Sequence, residues 1–356
     1  MEPFRGELVR LARQARSMSQ TRLAEKVGVS QTLISMIEDD VRSPSQQQID
    51  SLCSALEFPS AFFFQNDVVL GPGVGEVFHR KRKTVPVKDL DTIHAWLNLS
   101  RFTIRRMLAA VNWPPTIMPT WDDEIDSKAV EEAASVWRAT LRLPLGPIRS
   151  VSDVLDRAGV LMVPMPQSTP KIDAVGQWVT GLPPIIFVNP HVPQDRLRFT
   201  LLHEVGHFVL HNSPYSIQLS EEIERQADLF AGSVLLPREE ILVDLRNPDM
   251  RRLASLKRVW KVSMQALLMR ARHLDAIDRD SERMLWREFS RNGWKTREPR
   301  ELDVIGEDPF RRFTELVNLY TKRRQYSLGD LGKMVHLNSD DVSRIAGVEN
   351  QGLRLV

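Results

Sequence analysis

The chain has 356 residues, 42% of them hydrophobic and 26% charged, a globular composition that excludes wholesale disorder. Its 48 Lys and Arg residues against 46 Asp and Glu residues give a formal net charge of +2, so bulk charge identifies no partner. The single cysteine excludes an internal disulfide framework and a Cys-rich zinc finger, and it indicates a reducing compartment. No apolar run approaches the ~18 residues of a membrane span, and the N-terminus lacks the apolar core of a signal peptide. We therefore expect a soluble cytoplasmic protein without a membrane partner.

Residues 1–70 carry apolar side chains at helical spacing in several short segments, so we predict a helical unit here. Ser19 and Ser30 are suitable N-caps. Gly28 suits the left-handed position of a tight turn between their two helices.

The segment from Ser19 to Glu38 resembles the helix-turn-helix of XRE/Cro-type repressors, with alanine, glycine and apolar positions in that family's register. The resemblance covers about residues 5–64 and implies a five-helix unit that binds double-stranded DNA at an operator. It implies that the helix opened by Ser30 enters the major groove, where some side chains read base edges and others contact phosphates. The implied base readers are Gln31, Thr32 and Ser35, and the implied phosphate contacts are Gln20, Arg22 and Arg42. Because one such unit reads only a half-site, we expect a homodimer.

The charge of this unit does not by itself favour DNA, because residues 1–70 contain seven Lys and Arg against nine Asp and Glu. A Gly- and Pro-rich linker at 71–75 is followed by a basic run at 79–83. That run either adds phosphate contacts or forms a solvated helix entrance. A protein-docking or dimerisation module is the alternative interpretation of the N-terminal unit.

Residues 76–145 predict a helical connector, with one long pattern through Ile93, Trp96 and Leu108 and a second helix over 126–141. Residues 146–276 mix helices with three strand-like pieces at Val160–Val163, Gly176–Val179 and Ile185–Val188. The predicted fold class is therefore mainly α with a small β-sheet.

The strongest chemical signal is His203-Glu204-Val205-Gly206-His207, on a helix whose apolar stripe begins near Asp195. Within a helix, His203 and His207 lie ~40° apart around the axis and ~6 Å apart along it. Both imidazoles can then reach one zinc ion, while Glu204 projects from the adjacent face toward a water activated by the metal. The alternative is a chance match, although chance would not place the motif on an amphipathic helix.

A catalytic zinc ion needs a third protein ligand, for which the sequence offers two candidates. His211 continues the histidine series, but it lies ~12 Å from His203 along a continuous helix, so we interpret it as a helix C-terminal histidine in contact with the helix dipole. Glu224 is the other candidate, on the next predicted helix. Asp228, four residues further on, could accept a hydrogen bond from the outer nitrogen of a ligand histidine.

The His203–His207 motif, followed by Glu224–Ala231 and Leu235-Leu236-Pro237, resembles the ImmA/IrrE family of zinc metallopeptidases. The resemblance runs from about Val151 to Asp275. It implies a zincin-like α+β domain and a gluzincin-like endopeptidase site whose ligand set Glu224 completes. It also implies a protein substrate, since family members cleave cognate repressors in prophages, mobile elements and stress responses.

Glu204 would take a proton from the attacking water and pass it to the leaving amine. The substrate would add to an edge strand near Trp178–Thr180 or Ile185–Asn189, unless these are ordinary core strands.

Two functional hypotheses follow from these motifs. The first is a DNA-binding transcriptional regulator with an active zinc endopeptidase. IrrE-type proteins carry the peptidase first, whereas this chain resembles shorter regulators with an N-terminal XRE unit. This departure leaves three alternatives open: the chain cleaves another repressor, itself, or nothing. The second is a non-enzymatic repressor or antitoxin whose zinc site is structural or an effector pocket.

The last predicted region is a helical one over 277–356, to which we assign no chemistry. A linker is predicted at Pro299–Pro309, and a faint helix-turn-helix rhythm follows from Tyr326 to Ser339.

Overall fold

A computed structural model describes residues 2–70, 86–121, 124–169, 171–211, 221–302 and 306–347. The linker predicted at 71–75 and the basic run at 79–83 lie outside the described residues. Over the described residues the chain forms sixteen α-helices and one three-stranded sheet, as the mainly α prediction requires. None of these helices combines the length and the apolarity that a membrane span needs.

The N-terminal unit consists of four α-helices and a short 3-10 helix. The α-helices are α1 (Gly6–Ala15), α2 (Gln20–Val27), α3 (Gln31–Glu38) and α4 (Gln46–Leu56). Ser19 and Ser30 cap α2 and α3 by accepting hydrogen bonds from the backbone of Arg22 and Leu33, and Gly28 has φ 76°, so the predicted caps and turn are confirmed. The predicted fifth helix is the short 3-10 segment Ser60–Phe64.

Three helices and the sheet follow in the middle of the chain. The helices are α5 (Val87–Leu108), α6 (Ser127–Thr140) and α7 (Val151–Arg157), and the strands are β1 (Leu161–Pro164), β2 (Ala174–Gln177) and β3 (Ile185–Val188). The strand order is β1-β3-β2, with β1 parallel and β2 antiparallel to β3. All four residues of the central strand β3 are apolar, because both faces of this strand are buried.

The sheet separates two apolar cores. Alternate residues of β3 point to opposite faces, so Ile186 and Val188 join one core while Ile185 and Phe187 join the other. The first core contains the helices that carry His203, His207 and Glu224. The second contains the N-terminal unit, α5 and the C-terminal helices. The motif-bearing helices therefore lie on one face of the sheet, while the N-terminal unit shares the core on the other face and packs directly on α5.

The first core is built mainly by helices that follow the sheet. These are α8 (Gln194–Leu210), α9 (Glu221–Leu235), α10 (Arg238–Ile241), α11 (Met250–Trp260), α12 (Met264–His273) and α13 (Arg279–Arg291). Helices α8 and α9 pack closely because Gly206 has no side chain: a Cβ there would lie 3.1 Å from Cα of Ala227. This close approach positions the two helices for a shared site.

Two carboxylates, one within the linker predicted at Pro299–Pro309 and one directly before it, bind buried cationic side chains. Glu307 binds the buried Arg198 and accepts a hydrogen bond from the backbone of Ser152, at 2.8 Å. Immediately before the segment, Glu298 pairs with the buried Lys257 at 2.7 Å. Proline content suggested a linker, but two carboxylates bound to buried cations hold the segment in place.

The C-terminal region forms α14 (Arg311–Asn318), a π-helical turn (Leu319–Arg323), α15 (Leu328–Val335) and α16 (Ser339–Ala346). Helices α15 and α16 repeat the spacing of α2 and α3, with His336 in the left-handed position and Asn338 as the second N-cap. Asp341 of α16 pairs with Arg16 of the N-terminal unit at 2.7 Å. The faint rhythm in the sequence is therefore a second helix-turn-helix pair, which contacts the N-terminal unit at the end of α1.

Candidate metal centre

Helix α8 brings the two histidines of the motif together inside the protein. The Nε2 atoms of His203 and His207 lie 3.1 Å apart, and their ring planes are 82° from each other. Both side chains are more than nine-tenths buried. The spacing of four residues thus directs two imidazole nitrogens at one point, as the sequence predicts.

Helix α9 adds a carboxylate at the same point. Glu224 places Oε1 at 3.4 Å from Nε2 of His207 and Oε2 at 3.7 Å from Nε2 of His203. Among the described residues these three side chains form a group that could hold a metal ion, with ligand atoms within 4.8 Å of one another. A tetrahedral zinc ion with bonds of ~2.0–2.1 Å separates its ligand atoms by about 3.3 Å. The observed separations therefore fit a tetrahedral ion with two nitrogen ligands and one oxygen ligand.

The outer nitrogen of His203 is held by the carboxylate predicted for that role. Nδ1 of His203 donates a hydrogen bond of 2.8 Å to Asp228. Burial by itself lowers the pKa of His203, but this hydrogen bond and the charges of Asp228, Glu204 and Glu224 raise the pKa to about 9. The pocket thus favours a positive charge at its centre, as a cation-binding site must.

The outer nitrogen of His207 meets a different partner. It lies 3.2 Å from Nδ1 of His211, whose Nε2 lies 2.9 Å from Oε1 of Gln226. His211 is the C-cap residue of α8, at the helix end where the sequence places it, and burial lowers its pKa. Sequence reasoning missed Gln226, whose only signal was its position on the helix of Glu224.

Glu204, the predicted general base, lies between α8 and the sheet. It is 2% exposed, and its Oε2 accepts a hydrogen bond of 2.7 Å from the backbone N–H of Gly176 in β2. A Cβ at Gly176 would lie 2.9 Å from this oxygen and 2.8 Å from the ring of Phe208, so glycine is required for the approach. Strand β2 therefore fixes the orientation of the carboxylate.

One of the two predicted substrate edges is wrong. The segment at Ile185–Asn189 contains the central strand β3, which is paired on both sides. In contrast, β2 has no second strand neighbour within the described part of the chain. Trp178 directly follows β2, and its half-buried ring meets Phe208 edge-on at 6.0 Å between centroids.

The predicted DNA-contacting side chains lie on and around α3. Gln31, Thr32, Arg22 and Arg42 are exposed, whereas Ser35 and Gln20 are half-buried. Gln20 accepts a hydrogen bond of 2.7 Å from Gln31 and donates one of 3.0 Å to Glu38. Glu38 is buried and also accepts from Arg13 at 2.6 and 2.8 Å, so α1, α2 and α3 are tied together beneath the exposed face.

These features define a protein that joins a helix-turn-helix unit to a His-Glu-x-x-His domain with a third, acidic candidate ligand. Comparison with family models agrees: residues 9–63 match the helix-turn-helix model, and residues 155–272 match the IrrE N-terminal-like domain. The chain thus carries a segment similar to XRE-type helix-turn-helix domains, followed by a segment similar to IrrE/ImmA-like domains. Searches among curated proteins and among solved structures found no match.

Proposed function

We propose that the protein is a transcriptional regulator carrying a zinc-dependent endopeptidase site that cleaves a repressor or another regulatory protein. The observation that supports this most is the convergence of His203, His207 and Glu224 beside the buried carboxylate of Glu204. A structural zinc site does not need a carboxylate held next to the ligand triad, whereas peptide hydrolysis does.

The donor set favours zinc over harder cations. Two imidazoles and one carboxylate are the ligands of known catalytic zinc sites, while calcium and magnesium prefer all-oxygen sites. When bound, zinc supplies Lewis-acid polarisation of a carbonyl group and lowers the pKa of a water molecule. His203 and His207 contribute neutral nitrogen ligands, and Glu224 contributes the negative charge.

Glu204 acts as the general base in this proposal. The Gly176 N–H holds one carboxylate oxygen at 2.7 Å, which orients the group for proton transfer. Glu204 takes the proton of the attacking water and delivers it to the amine that leaves the cleaved peptide. An extended substrate pairs with the outer edge of β2, beside Trp178.

The N-terminal domain would direct this activity to an operator. In the proposal α3 enters the major groove with Gln31, Thr32 and Ser35 at the base edges, while Gln20, Arg22 and Arg42 address phosphates. A homodimer would read the two half-sites. We divide the chain into four parts: a DNA-binding domain over 1–70, a connector over 76–145, a peptidase domain over 146–276 and a C-terminal region over 277–356.

One observation favours the second candidate, a repressor or antitoxin whose zinc site is structural or an effector pocket. Glu204 is almost completely buried and hydrogen-bonded to the backbone, which a purely structural carboxylate would also be.

A comparison of parent protein with Glu204→Gln separates the two candidates. Both proteins should bind one zinc ion per chain. In cells that express either form, mass spectrometry of protein N-termini should reveal new termini only with the parent. The same termini in both strains, or none in either, would rule out a peptidase and leave the second candidate.

A further inference from the structure

The two candidate zinc-binding histidines are oriented by different kinds of group. His203 donates to the carboxylate of Asp228, whereas the outer nitrogen of His207 faces another imidazole, that of His211. A ligand histidine needs its outer N–H bonded to an acceptor so that the other nitrogen keeps its lone pair for the metal. An imidazole serves as that acceptor only in one of its two neutral tautomers.

The tautomer of His211 follows from the orientation of Gln226. Nε2 of Gln226 donates to the backbone carbonyl of Ile125 at 3.0 Å and to Oε1 of Glu222 at 3.1 Å. Both partners are acceptors, so the amide nitrogen must face them and the amide oxygen must face His211. The residue is 8% exposed, which keeps the amide in this orientation.

The proton positions then follow along the chain of contacts. Oε1 of Gln226 accepts from Nε2–H of His211 at 2.9 Å, so Nδ1 of His211 carries a lone pair. That lone pair accepts from Nδ1–H of His207 at 3.2 Å. Nε2 of His207 is left without a proton, and it points toward His203 and Glu224.

We propose that His211 and Gln226 are positioning residues that hold His207 with its proton on Nδ1 and its metal-binding lone pair on Nε2. This inference rests on the proposed zinc site. It assigns a role to the third histidine of the motif-bearing helix, which is a positioning residue and not an alternative zinc ligand. His203 is thus oriented by a charged acceptor, Asp228. His207 is oriented by two neutral side chains, His211 and Gln226, which we call the relay.

The first experiment reads the tautomer of His207 without any metal. Long-range ¹H–¹⁵N spectra are recorded on [¹⁵N]histidine-labelled protein in a His203→Ala background, which removes the neighbouring imidazole. His207→Gln in the same background assigns the His207 signals. With the relay intact, His207 should be in the Nδ1–H form. In the added His211→Leu variant, it should shift to the Nε2–H form that free imidazole prefers in water.

The second experiment measures the zinc affinity of the full-length protein with an intact His203, by competition with a chromophoric chelator at constant pH. His211→Leu and Gln226→Leu should each weaken binding by about 10–100-fold, the range for loss of such outer partners. His211→Asn places an amide oxygen where Nδ1 was. This conservative variant should therefore recover affinity to within a few-fold of the parent, which a simple packing role would not produce.

The possible outcomes separate this inference from the proposed function. If the parent background shows His207 as Nε2–H, or if His211→Leu binds zinc as tightly as the parent, the relay is refuted while the zinc site stands. If the tautomers are as stated but the parent binds no zinc, the relay stands and the proposed function fails.

Discussion

Asp228 accepts a hydrogen bond of 2.8 Å from His203 although its own side chain is half exposed, so the best-buried ligand of the candidate site is oriented from the protein surface. The carboxylate also contributes to the pKa of about 9 for His203. Substitutions at this surface position can therefore change the metal site without opening the core.

We expect Asp228→Ala to weaken zinc binding by about 10–100-fold, because the outer nitrogen of His203 loses its acceptor. Asp228→Asn keeps an uncharged acceptor oxygen and should fall between that variant and the parent. Competition with a chelator measures the zinc affinities of the three proteins and so gives their order. Glu221→Ala, an exposed carboxylate on the same helix, is the matched control and should bind like the parent. Equal affinities for all four proteins would contradict the assigned role.

Removal of a metal ligand should weaken zinc binding more than removal of a residue that only orients a ligand. Glu224→Ala deletes one of three candidate ligands, so its affinity loss should exceed the about 100-fold limit for outer-partner variants. The zinc content of purified protein, measured by elemental analysis before and after dialysis against a weak chelator, tests this. A Glu224→Ala protein that retained zinc as the parent does would show that a different residue completes the site.

The close packing of α8 on α9 predicts opposite effects for two glycines. A Cβ at Gly206 would lie 3.1 Å from Cα and 3.2 Å from the carbonyl oxygen of Ala227, so Gly206→Ala must push the two ligand-bearing helices apart. We expect a loss of about 1–3 kcal/mol in the free energy of unfolding, together with weaker zinc binding.

Gly232→Ala is the matched control on α9, where the nearest neighbour of a Cβ is Cδ of Arg270 at 3.9 Å. This substitution should stabilise the protein by about 0.5–1 kcal/mol, because alanine favours the helix and meets no obstacle. Urea unfolding measures both variants. If Gly206→Ala were as stabilising as Gly232→Ala, the steric argument would be wrong.

A buried ion pair supports the DNA-binding unit. Glu38 is 2% exposed and binds the partly buried Arg13 through both carboxylate oxygens, so Glu38→Ala deprives this guanidinium of its carboxylate partner. Its expected cost is about 3–5 kcal/mol of unfolding free energy. Asp39→Ala, at the neighbouring exposed carboxylate, should cost far less. Chemical denaturation followed by circular dichroism distinguishes the two.

Two exposed side chains of the same unit should affect DNA binding in different ways. Gln31→Ala should weaken binding to a selected operator by about 1–3 kcal/mol and relax base preference at one position. Arg42→Ala should weaken binding to all sequences and lower the salt dependence by about one unit of slope. Binding measured across salt concentrations with operators from random-sequence selection tests both. An unchanged sequence preference in Gln31→Ala would exclude it as a base reader.

Features that depend on neighbours in the sequence were predictable. The caps at Ser19 and Ser30 and the turn at Gly28 follow from local backbone chemistry, and the two histidines follow from helical spacing. Features that depend on tertiary contacts were not. The contact of Gln226 with His211 joins two helices, and nothing local distinguishes this glutamine from a surface residue.

Strand pairing and buried charge were misjudged for the same reason. The run at Ile185–Val188 is apolar in every position, which fits a central strand, but its neighbours are set by topology and not by the run itself. Likewise, the proline content around residue 299 suggested a linker, because the sequence alone does not place Glu298 against Lys257 or Glu307 against Arg198.

The three strands that separate the two apolar cores also connect them. Phe187 and Ile186 are consecutive residues of β3, yet Phe187 lies in the core that includes the N-terminal unit and Ile186 lies in the core that includes the helix of His203. A peptide that docks along β2 and shifts the sheet by a fraction of an ångström would displace residues of both apolar cores. If the operator binds more tightly to one position of the sheet, peptide binding would change the affinity for the operator. Thermodynamic linkage then requires that the operator change the affinity for the peptide by the same factor.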